Sequence, residues 1–159
     1  ESIAAGVQAF TALPHRLETV AVSTKGVRFV NDSMATTPAS AIAALRAVPG
    51  PLVLLAGGSD KGANYSELGA VAAEAAHTVV CLGVIREQIA ASVEAAVAGG
   101  AGSAAVVRGA GSFDDAFAEA VARCPDGGAV LLAPATASYD MFPNFKARGE
   151  RFGELAQNA

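Results

Sequence analysis

Four short apolar runs recur along this chain, each followed or preceded by a stretch of helical character. They are 52–56 (Leu-Val-Leu-Leu-Ala), 78–82 (Thr-Val-Val-Cys-Leu), 104–108 (Ala-Ala-Val-Val-Arg) and 129–133 (Ala-Val-Leu-Leu-Ala). A strand with one face in water alternates apolar and polar residues. A strand apolar on both sides must be covered on both faces, which is the condition of a parallel sheet. Helical stretches fall between these runs at 38–48, 65–76, 86–98 and 112–123, and a last one at 144–157. Right-handed crossovers then give an α/β fold with a doubly wound, Rossmann-like sheet and helices on both faces.

The helix ends carry recognisable signals. Pro38 suits a first turn, Asn64 is a candidate N-cap, and Gly99-Gly100 stops the third helix. Ser112 and Asp115 form a capping-box pair. Upstream, β-type runs at 17–22 and 27–31 are joined by Ser23-Thr24-Lys25-Gly26. Gly26 suits positive φ, so a hairpin adds one antiparallel strand to the sheet. Ile3, Val7 and Phe10 have helical spacing, and Pro14 ends that segment. Residues 1–14 are therefore expected to be a lead-in helix and linker, and 15–159 one domain.

Composition narrows the function. The 159 residues are 52% hydrophobic and 16% charged, with net charge −4. That supports a folded core and gives no electrostatic case for nucleic acid or an acidic membrane. No window approaches the ~18–20 apolar residues of a membrane span. The start at Glu1, without Met or a basic-then-apolar leader, reads as a cut inside a longer cytoplasmic chain. Cys81 and Cys124 lie far apart in apolar segments, as buried free thiols would. His15 and His77 have no metal-ligand spacing, so no metal site is expected here.

In such sheets ligands bind beyond the carboxyl ends of the strands. Three turns there are polar: Asn31-Asp32-Ser33-Met34-Ala35-Thr36-Thr37, Gly57-Gly58-Ser59-Asp60-Lys61-Gly62 and Pro134-Ala135-Thr136-Ala137-Ser138-Tyr139-Asp140. The turns at 83–85 and 109–111 are plainer. Hydroxyls, a lysine and helix N-terminal amides favour a carboxylate or phosphate. There is no Gly-x-x-x-x-Gly-Lys-Ser/Thr loop, no Gly-x-Gly-x-x-Gly and no Ser/His/Asp set.

Taken with Leu13-Pro14-His15-Arg16-Leu17-Glu18 and the run from Pro134 to Phe152, these turns resemble the C-terminal domain of the UDP-N-acetylmuramoyl-L-alanine:glutamate ligases. The likeness covers nearly the whole chain. It implies an ATP-dependent amide ligase of peptidoglycan synthesis, working through an acyl phosphate. It also implies that this part is inactive alone, with no catalytic residue of its own. Two further domains would complete the enzyme, the central one holding most of the ATP and Mg2+. By resemblance Arg16, Asp32 and His15 approach ATP, while Thr36, Lys61, Ser138 and Phe145 bind glutamate. UDP-N-acetylmuramoyl-L-alanine would be the co-substrate, and the enzyme a monomer.

Plainer readings stand beside each role. Arg16 and Lys61 can be solvated loop cations, Asp32 a turn residue, and His15 a support for its turn. Thr36 and Ser138 can cap helices. Phe142 and Phe152 are expected to pack the last helix on the sheet. Met34 departs from the lysine usual at that position and, with Thr37-Pro38, resembles variant ligases that add L-glutamate. A folylpolyglutamate-type ligase domain and a stand-alone nucleotide-binding module remain the alternatives.

Overall fold

The computed structural model describes residues 13–109 and 111–159. The expected lead-in helix at 2–12 lies outside the described residues, as does Ala110 in the turn after the fifth strand. Strands β1 (Glu18–Val22), β2 (Arg28–Asn31), β3 (Leu52–Gly57), β4 (Thr78–Leu82), β5 (Ala105–Arg108) and β6 (Ala129–Leu132) form one sheet. Its order is β1-β2-β6-β3-β4-β5. The β1–β2 pair is antiparallel and every other neighbour is parallel. Ser23 N–H donates to Val27 O at 2.9 Å and Gly26 sits at φ 75°, which closes the expected hairpin.

Helices α1 (Pro38–Ala47), α2 (Ser66–Ala75), α3 (Arg86–Ala98), α4 (Phe113–Arg123) and α5 (Phe145–Gln157) cover the sheet. Alternate strand residues enter two separate cores. Leu52, Leu54, Ala56, Val79, Cys81, Ala129 and Leu131 face α1, α2 and α3. Val53, Leu55, Val80, Leu82, Val130 and Leu132 face α4 and α5, where Phe29, Phe117 and Phe152 pack together. Every residue of β3, β4 and β6 is buried. This is why their sequences show no alternation.

Several element ends depart from expectation for local reasons. Leu17 is not in β1, because its φ is 47°, in the left-handed region that strands do not use. Asn64 does not cap α2. The cap position is Tyr65, without a side-chain cap bond, and Asn64 Oδ1 instead accepts from Ser66 N–H in an Asx turn. Val48 leaves α1 in extended geometry, as a residue before proline prefers. Thr37, not Thr36, caps α1 in a box with Ser40. Ser112 and Asp115 form the capping box expected of them, and Asn144 caps α5. Cys81 is buried, whereas Cys124 is only half-buried. Burial pushes the Cys81 thiol up to about 12, so it stays protonated and unreactive.

Candidate functional site

β3 and β6 are neighbours whose chains leave in opposite directions. β3 leads to α2 on one face, and β6 leads to α5 on the other. Such a divergence opens a crevice at the carboxyl edge. The two loops nevertheless touch. Ser59 N–H donates to Ala137 O at 2.9 Å, and Thr136 Oγ1 donates to Ser59 O at 2.5 Å. Gly58 makes this possible: with φ 147°, a Cβ there would stand 2.3 Å from Ala137 O.

The β2–α1 loop joins from the other side, with Ala135 N–H donating to Ala35 O at 2.9 Å. Ala135 is held at φ 65°, a strained setting for a residue with a Cβ. Thr36, Lys61, Ser138 and Phe145 then line one small cavity of about 110 Å3 with Ala137 and Tyr139. The four residues proposed for one ligand thus come together from three loops and a helix start. Lys61 is exposed and makes no ion pair with another described residue. Ser138 is buried, and its Oγ has no hydrogen-bond partner among the described residues. Ser138 does not cap α5, and its carbonyl takes the turn bonds from Met141 and Phe142.

Asp140 secures the far end of the β6 loop. Its N–H donates to Ser59 Oγ at 3.0 Å, and its carboxylate accepts from Val84 N–H at 3.1 Å. Asp60 braces the Lys61 turn by accepting from Gly62 N–H at 2.8 Å and Gln88 Nε2 at 3.3 Å. The Gly62 amide first, then Gln88, holds the Asp60 carboxyl below its ordinary value. Lys61 thus stands beside a carboxylate already engaged elsewhere.

Arg16 is presented by a strained turn. His15 and Leu17 on either side both have positive φ, at 62° and 47°. The turn is tied to the β2 loop by Leu17 N–H to Asp32 Oδ1 at 3.2 Å and by Met34 N–H to His15 O at 3.1 Å. Asp32 is buried, and burial raises its carboxyl above the ordinary value. The Leu17 amide and the Arg16 charge oppose that rise. His15 is engaged structurally: its N–H donates to Glu18 Oε2, and its Nδ1 meets Asn31 Nδ2 at 3.1 Å. Gly149 packs so near that a Cβ would stand 2.4 Å from Nδ1. His15, Met34, Phe145 and Lys146 line a neighbouring cavity of about 340 Å3.

Two groups here had no role assigned from sequence, Asp140 and Arg148. Arg148 is fully buried and binds Ser33 and the Thr136 carbonyl. Its helical phase with Phe145, Gly149 and Phe152 was the available signal. Phe152 packs into the core as expected, and Phe142 stacks edge-on against Phe113 at 5.1 Å.

The description "Mur ligase, glutamate ligase domain" matches residues 15–136. The UDP-N-acetylmuramoylalanine–D-glutamate ligase of Symbiobacterium thermophilum is 42% identical over 151 residues, which is 95% of this chain and 32% of that enzyme. Those of Cytophaga hutchinsonii and Nitrosococcus oceani are 40% and 39% identical over similar spans. The chain therefore spans about a third of the length of the curated relatives it matches. In fold it is similar to the MurF ligase of Thermotoga maritima, solved with ADP, at TM-score 0.55 and 18% identity, over 94% of this chain and 32% of that one. With a family match across most of its length, a doubly wound sheet and polar loops gathered at one edge, this chain belongs to the glutamate ligase domain family of the Mur ligases.

Proposed function

We propose that this chain is the amino-acid-binding domain of an ATP-dependent ligase that joins glutamate to UDP-N-acetylmuramoyl-alanine. The observation that carries the reading is the convergence of Thr36, Lys61, Ser138 and Phe145 on one cavity. Lys61 pairs with a glutamate carboxylate as a compact cation, and the Thr36 and Ser138 hydroxyls donate to carboxylate oxygens. Phe145 bounds the cavity on the α5 side.

Arg16 is exposed and preset by its turn, which suits a guanidinium that meets transferring phosphate charge. Asp32 uses Oδ1 on Leu17 and offers its second oxygen to ribose hydroxyls. His15 supports that turn and touches ATP only through it. The donors present fit part of a nucleotide. ATP, when bound, activates the acceptor carboxylate, and glutamate held here presents its amine to that carboxylate. Mg2+ and the phosphate-cradling loop are assigned to the rest of the ligase, which acts as a cytoplasmic monomer. Closure of this domain onto that remainder brings the two substrates together.

Lys61→Ala in the full ligase tests the reading. A glutamate KM that stays at the wild-type value removes Lys61, and with it the cavity, from amino-acid recognition. The relatives' names favour D-glutamate. Met34, with Thr37-Pro38, favours the L-form by resemblance to the variant ligases that add L-glutamate, and its side chain lines the neighbouring cavity with His15 and Phe145. Competition between the enantiomers with the UDP precursor decides between them.

A further inference from the structure

Arg148 is the largest side chain that the fold buries completely. Its Nε donates to Ser33 Oγ at 3.0 Å, and its Nη2 donates to Ser33 O at 3.0 Å and to Thr136 O at 3.2 Å. All these acceptors are neutral. Nη1 is buried without a partner among the described residues. Burial lowers the guanidinium pKa to about 10, opposed only by the field of Asp140, so the group remains a cation at neutral pH. A buried cation without a hydrogen-bonded carboxylate is destabilising, and an apolar side chain of similar volume would avoid that penalty. Phe152, one turn on, shows what such an anchor looks like.

The bonds explain what the charge is kept for. Ser33 lies in the β2–α1 loop, three residues before Thr36. Thr136 lies in the β6–α5 loop, two residues before Ser138. Ser33 Oγ also donates to the Phe145 carbonyl at 2.7 Å. One guanidinium therefore reaches, directly or through Ser33, all three segments that carry Thr36, Ser138 and Phe145. The Lys61 loop joins at one further remove, through the Thr136 hydroxyl on Ser59 O. The planar fork of Arg can grip two carbonyls and a hydroxyl at fixed angles, which a lysine cannot reproduce.

We infer that Arg148 is a positioning residue for the amino-acid cavity, clamping the loops that bear Thr36 and Ser138 at their working separation and lending an unneutralised positive charge that favours an anionic occupant. This rests on the cavity being the glutamate site. It adds that the cavity's shape and sign are set from beneath by a residue that does not line it.

The test is steady-state kinetics on the full ligase with Arg148→Met, Arg148→Lys and Ser33→Ala, alongside thermal unfolding of each. Arg148→Met is expected to raise the glutamate KM roughly tenfold or more while the ATP KM stays within about twofold. Arg148→Lys restores the charge without the fork and recovers part of that loss. Ser33→Ala keeps the charge and removes one link, raising the glutamate KM roughly threefold. The inference is overturned if the KM values for ATP and glutamate rise together in proportion to lost stability. If Arg148→Met does not fold, a wild-type glutamate KM in both other variants overturns it equally. An unchanged KM in Lys61→Ala would instead remove the glutamate site itself, which separates the two failures.

Discussion

Two of the cavities at the carboxyl edge of the sheet, a few residues apart, differ in kind. The larger, about 320 Å3, lies over β4 and β5 and is lined by Gly83, Val84, Arg86, Glu87, Ser112 and Asp140 among others. Its polar groups are already matched. Asp140 accepts from Val84 N–H, Ser112 from Asp115 N–H, and Glu87 meets both Arg86 and Arg108. The Glu94 carboxylate first, then Glu87, holds the Arg108 guanidinium well above its ordinary value. Among the described residues, the smaller cavity, about 110 Å3, leaves Ser138 Oγ without a hydrogen-bond partner and Lys61 outside any ion pair. Volume alone would choose the larger of the two. Unmet hydrogen-bonding capacity next to space is the better pointer to a ligand, because a folded chain otherwise satisfies its buried polar groups.

The comparison is broken most severely at the seam between the cavities. Gly58 adjoins both, approached by Gly83 on one side and by Ala137 O on the other. Gly58→Ala adds a Cβ where backbone cannot retreat and places it at φ 147°. It should destabilise the domain by about 2–4 kcal/mol. Gly62→Ala, at φ 64° but in open space, should cost only about 1 kcal/mol. Urea unfolding of the two variants measures the gap. Equal losses would mean that the loops are not pinned at Gly58.

The next largest effect separates the cavities by charge. Lys61→Ala should raise the glutamate KM by roughly tenfold to a hundredfold, the worth of a charge-assisted bond of about 1.5–3 kcal/mol. Arg86→Ala, which removes a cation from the larger cavity, should change it by less than about twofold, as exposed ion pairs contribute little. Equal effects would erase the distinction.

These contrasts also mark where the sequence was informative. The parallel sheet was legible because β3, β4 and β6 are apolar on both faces, a pattern few other folds demand. The gathering of the loops that carry Thr36, Lys61 and Ser138 was legible because strand-end loops of such sheets converge, whereas the choice of these three residues came from the family resemblance. Leu17 was misassigned because strand propensity carries no information about a positive φ set by the long-range bond to Asp32. Asn64 was misassigned by one residue because an Asx turn and an N-cap use the same side chain. Arg148 stood in the run from Pro134 to Phe152 without a role, because nothing local in the sequence marks an arginine as buried. Only packing against Ser33 and Thr136, distant in sequence, shows its burial.

Asp32 gives a smaller contrast with a defined sign. Its folded carboxyl is raised by burial, so its protonated form favours the folded state. That contribution is complete below the ordinary value of 3.8 and is lost as pH rises through the raised value. Asp32→Asn should therefore leave stability at pH 7 unchanged or higher by about 0.5–1 kcal/mol, since the amide oxygen still accepts from Leu17. It should also steepen the acid limb of the stability curve, because the parent's Asp32 adds stability as pH falls and the amide does not. A variant less stable at pH 7 than the parent would show that the carboxylate, not its burial, dominates there.

Ser138 predicts the smallest effect and the most diagnostic one, because stability and function should move in opposite directions. Its Oγ is buried without a partner among the described residues, so Ser138→Ala removes an unmet polar group rather than a bond. The domain should be unaffected or stabilised by up to about 0.5 kcal/mol. If that hydroxyl waits for a carboxylate, the same change should raise the glutamate KM by roughly threefold to tenfold, the loss of about 0.5–1.5 kcal/mol of neutral hydrogen bonding. Thermal unfolding and glutamate titration of one variant give both signs. A fall in stability with an unchanged KM would mean that the hydroxyl is satisfied within the protein. The small cavity would then be as self-contained as the large one.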